Sequence, residues 1–385
     1  MKNKRVLLVG DFSGVHYELR KQLGLMGYDV QLLSDGDVYK NFPADILFRQ
    51  DIKNNRLAKV IRKITSSLGI NGFFYFIRNV KMLLSLRNYD VVQLINPKPL
   101  QGFGLVLNFI FLRWIFKHNS NVYLCALGED YYWVDACLKK AYKYSALDNL
   151  SKNTKDRYKY SLGFVSFPFK MLNDYCLLKC KKIIPGLYDY YLAYCWHDKC
   201  INVIPLPIGD DLLADESLCL DGNEKINIFH GWQKGKELKK GSFIFDNAIK
   251  KIILKYGDKI DYSIIQDRPY KEYVSLFKQS HIFIDQCYSY DKGMNALLGM
   301  AAGKVVFSGA EDITKDAYKL DETGSLPLIN AVPDESVIFE QIESLVLDVN
   351  KINVMSKRAI QFTKDNHSVL NVTLQYLDVW NINEG

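Results

Sequence analysis

The chain has 385 residues, enough for two domains that each bury a core, and its formal net charge is +7. No stretch reaches the roughly 18 uncharged apolar residues of a membrane span, and the apolar run after the basic tip is too short for a secretory signal. Eight cysteines stand in apolar or helical contexts without disulfide-framework or zinc-site spacing, which predicts free, mostly buried thiols in a cytoplasmic protein.

The first half opens with an apolar strand, Arg5 to Gly10, and a turn, Gly10-Asp-Phe-Ser-Gly14. An amphipathic helix, Val15 to Met26, follows, and Gly27 ends it before a second strand, Tyr28 to Leu33. The Gly10-x-x-x-Gly14 spacing differs from the G-x-G-x-x-G fingerprint, so NAD or FAD binding is disfavoured. Residues 51–120 hold eleven Lys and Arg against two Asp, a surplus larger than that of the whole chain. Phe73, Phe74, Tyr75, Phe76, Trp114 and Phe116 are interleaved with these cations. That mixture suits an anionic membrane surface or a phosphate-bearing lipid better than nucleic acid, or else joins core aromatics to solvated lysines.

Asp90 to Ile95 reads as a strand that Pro97 and Pro99 halt. Gln101 to Lys117, interrupted by Asn108 and Arg113, reads as a buried or interface-lying helix. Asn121 to Ala126 is a strand leading into Leu127-Gly-Glu129-Asp130. Carboxylates there point into the crevice where α/β sheets bind ligands, so Glu129 and Asp130 are candidate acceptor-side residues or caps of the next helix. A long excursion, a strand end at Lys182–Pro185 and a helix from Tyr188 precede Ile201-Asn-Val-Ile-Pro-Leu-Pro-Ile208, whose prolines stiffen a connection.

The second half starts with the strand Lys225 to Phe229, a lysine-rich loop from His230 to Gly241 and a helix from Phe243 to Tyr256. Ile260 to Ile265 is the next strand, and Gln266-Asp-Arg268-Pro-Tyr270 opens a helix. His281-Ile-Phe-Ile-Asp285 is a buried strand stopping on Asp285-Gln286. Gly293 lets backbone come close to a neighbouring group, Met294 to Ala302 is a helix closed by Gly303, and Lys304 to Phe307 is a further strand. The first turn of that helix, with Met294 and Asn295, offers free N–H groups to a phosphate, unless the small residues serve only close packing. Residues 334–358 and 359–382 complete the chain as two helices.

Asp285-Gln286, Gly293-Met-Asn-Ala-Leu-Leu and Met300-Ala-Ala-Gly-Lys304 resemble the donor segment of GT-B nucleotide-sugar glycosyltransferases, the group 1 or family 4-like enzymes. Two family glutamates are replaced by Tyr290 and Leu298. Lys240-Gly241 matches the Lys-Gly of the diphosphate loop; Trp232 stands at its arginine, and Lys234, Lys236 or Lys239 is the substitute cation. The resemblance implies two Rossmann-like α/β domains facing a cleft: residues 1–205 for the acceptor and 206–365 for the nucleotide sugar, with 366–385 returning to the first domain. It implies donor contacts from Lys240, Gly241, Arg268, Tyr270, Asp285, Gln286, Gly293, Met294 and Asn295, without metal or cofactor. His16 lies where inverting members place a base, or is a satisfied helix-face histidine. The implied function is sugar transfer to a glycan or lipid-linked acceptor at the inner membrane face. The rivals are a sugar-nucleotide epimerase and a non-catalytic nucleotide-sugar-binding subunit.

Overall fold

A computed structural model describes residues 4–35, 43–48, 63–65, 68–266 and 270–382. Its first sheet is parallel and contains β1 (Arg5–Val9), β2 (Asp29–Ser34), β3 (Ile46–Leu47), β4 (Val91–Leu94), β5 (Val122–Ala126) and β6 (Ile183–Pro185), in the order β3-β2-β1-β4-β5-β6. Every residue of β4 and β5 is buried, as a parallel sheet covered on both faces requires. Alternation along β1 divides the work: Val6 and Leu8 join one core, while Leu7 and Val9 join the other. The helix Leu105–His118 covers the second face with Leu107, Phe111, Leu112 and Ile115. The helix Val15–Leu25 covers the first face through Val15, Leu19 and Leu23.

The second sheet contains β7 (Ile226–Gly231), β8 (Ile260–Ile265), β9 (Ile282–Ile284), β10 (Val305–Ser308) and β11 (Ile329–Asn330), ordered β11-β10-β9-β7-β8 and again parallel. In each sheet the strand order reverses beside the first strand, between β1 and β4 and between β7 and β9. Loops at the carboxyl ends diverge at such a reversal and leave a crevice, the usual ligand site of an open α/β sheet.

The chain crosses between domains twice, and the crossings pair. The Ile208 N–H donates to the His367 carbonyl at 2.7 Å, and the Val369 N–H donates to Ile208 at 3.1 Å. Where two helices were expected after residue 334, there are three: Glu335–Leu347, Asn350–His367 and Val369–Trp380. The break at Ser368 has a physical cause, because its backbone leaves the helical region and its hydroxyl accepts from the Asn371 N–H as a cap. The last helix packs on the first domain: the Trp380 Nε1–H donates to Gln93 at 2.9 Å, and the Tyr123 hydroxyl donates to the Trp380 carbonyl at 3.3 Å.

Candidate functional site

The loops after β7 and β9 meet at the reversal of the second sheet. Residues 237–240 form a helical turn that presents Lys240, whose ammonium lies 2.8 Å from the buried Asp285 carboxylate at the end of β9. The other Asp285 oxygen accepts from the Ser308 hydroxyl at 2.9 Å. The Cys287 N–H donates to the Lys240 carbonyl at 3.0 Å, which ties the loops together. Gly241 makes that junction feasible: its φ is 73°, and a side chain there would collide with the Cys287 sulfur and the Tyr288 ring. Gly241 therefore packs the loops against each other.

Across the junction, the helix Met294–Ala301 begins at Gly293 without a side-chain cap. Gly293 has φ −81° and ψ 179°, an extended conformation open to any residue, so the turn imposes no strain. A Cβ built there would meet only the Gln286 side-chain nitrogen, at 3.9 Å. The space before the helix is open, and the first-turn N–H groups face it with a positive dipole end behind them. Gln286, Gly293, Met294 and Asn295 thus lie beside the Lys240–Asp285 pair. His230, buried at the end of β7, shares a 2.9 Å hydrogen bond with the Tyr262 hydroxyl, and burial pushes its pKa down to about 3, aided by the Lys240 charge. Arg268 and the side chain of Tyr270 lie outside the described residues.

The first domain reaches into this region. Glu129, beyond β5, accepts from Lys239 at 2.5 Å, and the same ammonium reaches the Ser161 hydroxyl at 2.6 Å. Lys239 thereby bridges the two domains. Asp130 is buried and caps the helix Tyr131–Leu138 by accepting from the Trp133 N–H at 2.9 Å; its other oxygen accepts from the Tyr194 hydroxyl at 2.7 Å. Burial raises its pKa to about 6. With both oxygens engaged, Asp130 caps the helix, the second of the two roles its position offered. His16 sits at the reversal of the first sheet, wholly buried, with Nδ1 2.6 Å from the Gly10 carbonyl. A carbonyl only accepts, so Nδ1 carries the proton and the unpartnered Nε2 is a bare lone pair. Burial lowers its pKa to about 4.

Sequence reasoning missed how firmly the loop 287–293 is bound to the first domain. Asp189, from the helix Tyr188–Tyr194, accepts from the Tyr290 N–H at 3.0 Å and the Asp291 N–H at 2.9 Å. Asp291 in turn accepts from the Tyr188 N–H at 3.0 Å, from the Tyr318 hydroxyl at 2.8 Å and from Lys292 at 3.2 Å. Lys292 is fully buried, with its ammonium 3.3 Å from the centre of the Tyr318 ring. Tyr290 stands edge-on to Tyr142 and Tyr144 and accepts from the Lys143 N–H at 2.6 Å. The residue at the first family glutamate is thus an interdomain wedge, and Leu298, at the second, packs against the core. Neither can bind a sugar through a carboxylate. An aspartate in the first turn of a helix reads only as a cap, so nothing in the sequence pairs Asp189 with residue 290.

Among the described residues, no three His, Cys, Asp or Glu side chains converge as a metal site would, and no helix is long and apolar enough to cross a membrane. No family model and no curated protein sequence matches the chain. Solved structures match nearly all of it. HepE of Anabaena, in complex with UDP and glucose, covers 98% of this chain and 99% of its own at 10% identity, with a TM-score of 0.56. Sucrose-phosphate synthase of Thermosynechococcus elongatus covers 99% and 98% at 13% identity, with a TM-score of 0.58. WaaG, a glycosyltransferase involved in lipopolysaccharide biosynthesis, covers 99% and 100% at 12% identity, with a TM-score of 0.50. At such identities the likeness is one of architecture: the chain has the two-domain α/β GT-B fold, with its terminal helix returned to the first domain.

Proposed function

We propose that this GT-B chain is a glycosyltransferase that moves a hexosyl or related sugar from a nucleoside-diphosphate donor to a glycan or lipid-linked acceptor. Bacterial surface polysaccharide synthesis, at the inner face of the cell membrane, is the setting that suits it. The observation that carries this reading is the open, uncapped start of the helix Met294–Ala301 beside the Lys240–Asp285 pair, at the strand-order reversal of the second sheet.

In this reading the donor diphosphate lies on the N–H groups of Met294 and Asn295 and draws Lys240 from Asp285, which keeps its Ser308 hydrogen bond. As the bond between the sugar C1 and the phosphate oxygen breaks, charge accumulates on the leaving diphosphate, where the cation and the helix dipole stabilise it. The acceptor hydroxyl forms the new bond to C1, and His16 Nε2, kept neutral by burial, takes its proton. UDP and UDP-glucose, bound in the HepE structures, make UDP the first donor nucleotide to test. The missing glutamates favour one rival, a non-catalytic nucleotide-sugar-binding subunit.

Calorimetric titration with UDP and GDP tests the site. The wild type is expected to bind one of them. Gly293→Val, whose new methyls enter the open space without backbone strain, is expected to keep its melting temperature and lose binding. Equal affinity in both proteins would reduce this helix to packing. Nucleoside diphosphate released only in the presence of acceptor marks a transferase; release without acceptor marks an epimerase or hydrolase; binding with no release marks the subunit.

A further inference from the structure

The short helix Phe73–Arg78 reads FFYFIR and has no buried residue, although it is among the most apolar segments of the chain. Phe74 is 73% exposed, and Ile77 is half exposed beside it. Next to it, a groove of about 790 Å³ opens between the helices Val80–Ser85, Leu105–His118 and Phe167–Lys179. Its walls include Val80, Leu84, Ile110 and Tyr175, and its described lining has three cations, Arg113, Lys117 and Lys179, but no carboxylate. Along the helix Leu105–His118, Val106 and Ile110 are exposed one turn apart, and Arg113 and Lys117 continue the same stripe toward its end. The helix Phe167–Lys179 exposes Phe167, Met171 and Leu178, with Asp174 and its partner Lys170 among them, and turns Tyr175 and Lys179 to the groove. Val80, Leu84 and Ile110 thus stay exposed around one groove, whose charged lining is the three cations of the helices Leu105–His118 and Phe167–Lys179, with the exposed helix Phe73–Arg78 beside it through Phe76.

A bare apolar patch rimmed by charge of one sign is costly in water and marks a partner surface. From the charge complementarity we infer that the partner is the anionic leaflet of a bilayer. The hydrocarbon side chains enter the boundary between headgroups and acyl chains, and the guanidinium and ammonium groups meet lipid phosphates. This rests on the reading of a membrane-proximal acceptor and names the face that turns to the membrane. The groove's cations lie toward the His118 and Lys179 ends of their helices, which run back from the cleft end of the sheet. The helix Phe73–Arg78 lies toward their other end, with Phe76 against Phe103, so the face runs along the length of the acceptor domain.

The test is co-sedimentation of the full chain with vesicles of phosphatidylglycerol and phosphatidylcholine, and with phosphatidylcholine alone. The wild type is expected to bind the anionic vesicles, more weakly as salt rises. Arg113→Glu with Lys117→Glu should weaken binding by about fivefold or more for each cation lost. Phe74→Glu with Ile77→Glu should abolish it. Leu254→Glu, at an 88% exposed site on the second domain, should bind as wild type does. All variants should keep the wild-type melting curve and UDP affinity. Absent binding, equal binding to neutral vesicles, or unchanged binding by both double variants overturns the inference. So does a wild-type dimer that Phe74→Glu with Ile77→Glu dissociates, because the face would then belong to a second copy. A wild type that binds anionic vesicles but neither UDP nor GDP sinks the transferase reading and leaves this one standing.

Discussion

Lys240→Ala is expected to lower turnover by roughly a hundredfold or more, the scale of removing one preorganised charge contact from a developing anion. It is also expected to destabilise the protein, which the sequence alone would not suggest. Lys240 and Asp285 form a nearly buried pair, with side chains 12% and 3% exposed. Removing the lysine strands a carboxylate whose remaining hydrogen bond comes from the Ser308 hydroxyl. Breaking a buried pair from one side costs about 3–5 kcal/mol. The double variant Lys240→Ala with Asp285→Asn should recover most of the melting temperature, because an amide is cheaper to bury than an uncompensated charge, yet turnover should stay low. Melting curves and nucleoside diphosphate release on the three proteins separate the two roles of the lysine. A fully active single variant would remove Lys240 from the donor site.

Asp189→Asn is expected to change how stability depends on pH. Burial, then the nearby Asp291 charge, raises the Asp189 carboxyl from its ordinary 3.8 to about 7, while the N–H groups of Tyr290 and Asp291 hold the anion and oppose the rise. A carboxyl raised in the folded state binds its proton more tightly there than in the unfolded chain. Its contribution to stability is therefore greatest below the ordinary carboxylate range and is lost as pH rises toward about 7. Asparagine carries no such proton, so the variant should gain on the wild type between about pH 4 and about pH 8 in urea titrations. His16, His230 and His367 have depressed pKa values and oppose this trend, losing stability as pH falls below the ordinary 6.5. They are common to both proteins and cancel in the difference. Asp189→Ala should be worse at every pH, because two buried N–H groups lose their acceptor at about 1–3 kcal/mol each. Hydrogen exchange over residues 288–293 should quicken with it. A pH-independent difference between wild type and Asp189→Asn would mean that Asp189 is ionised throughout, and would leave only its hydrogen-bonding role.

The strands and helices around the site were legible because each is written in consecutive residues. An apolar run stopping at Asp285, a glycine before Met294 and another after Ala302 specify strand, turn and helix through local sterics and burial, wherever the rest of the chain goes. The Gly-Asp-Phe-Ser-Gly turn after β1 and the Lys240-Gly241 pair after β7 were equally readable. The same logic placed Gln286, Gly293, Met294 and Asn295 together, since a βαβ unit brings the strand end and the helix start to one edge.

Tertiary structure decided what those residues do. Lys240 and Asp285 are 45 positions apart, Glu129 and Lys239 110, and Asp189 and Tyr290 101. No periodicity links residues so far apart, because each partner sits in an irregular loop or a helix end whose direction depends on how two sheets face each other. That Gly241 is a packing necessity followed only from the fold, which reveals the Cys287 sulfur at its missing side chain. Asp130 read as either a crevice carboxylate or a cap, and the fold shows it capping, with the Tyr194 hydroxyl closing over it from another helix. Tyr290 and Leu298 were known from sequence to lack carboxylates. That one wedges the domains and the other joins the core followed only from the packing, for a hydrophobic side chain takes its role from whatever surface it removes from water.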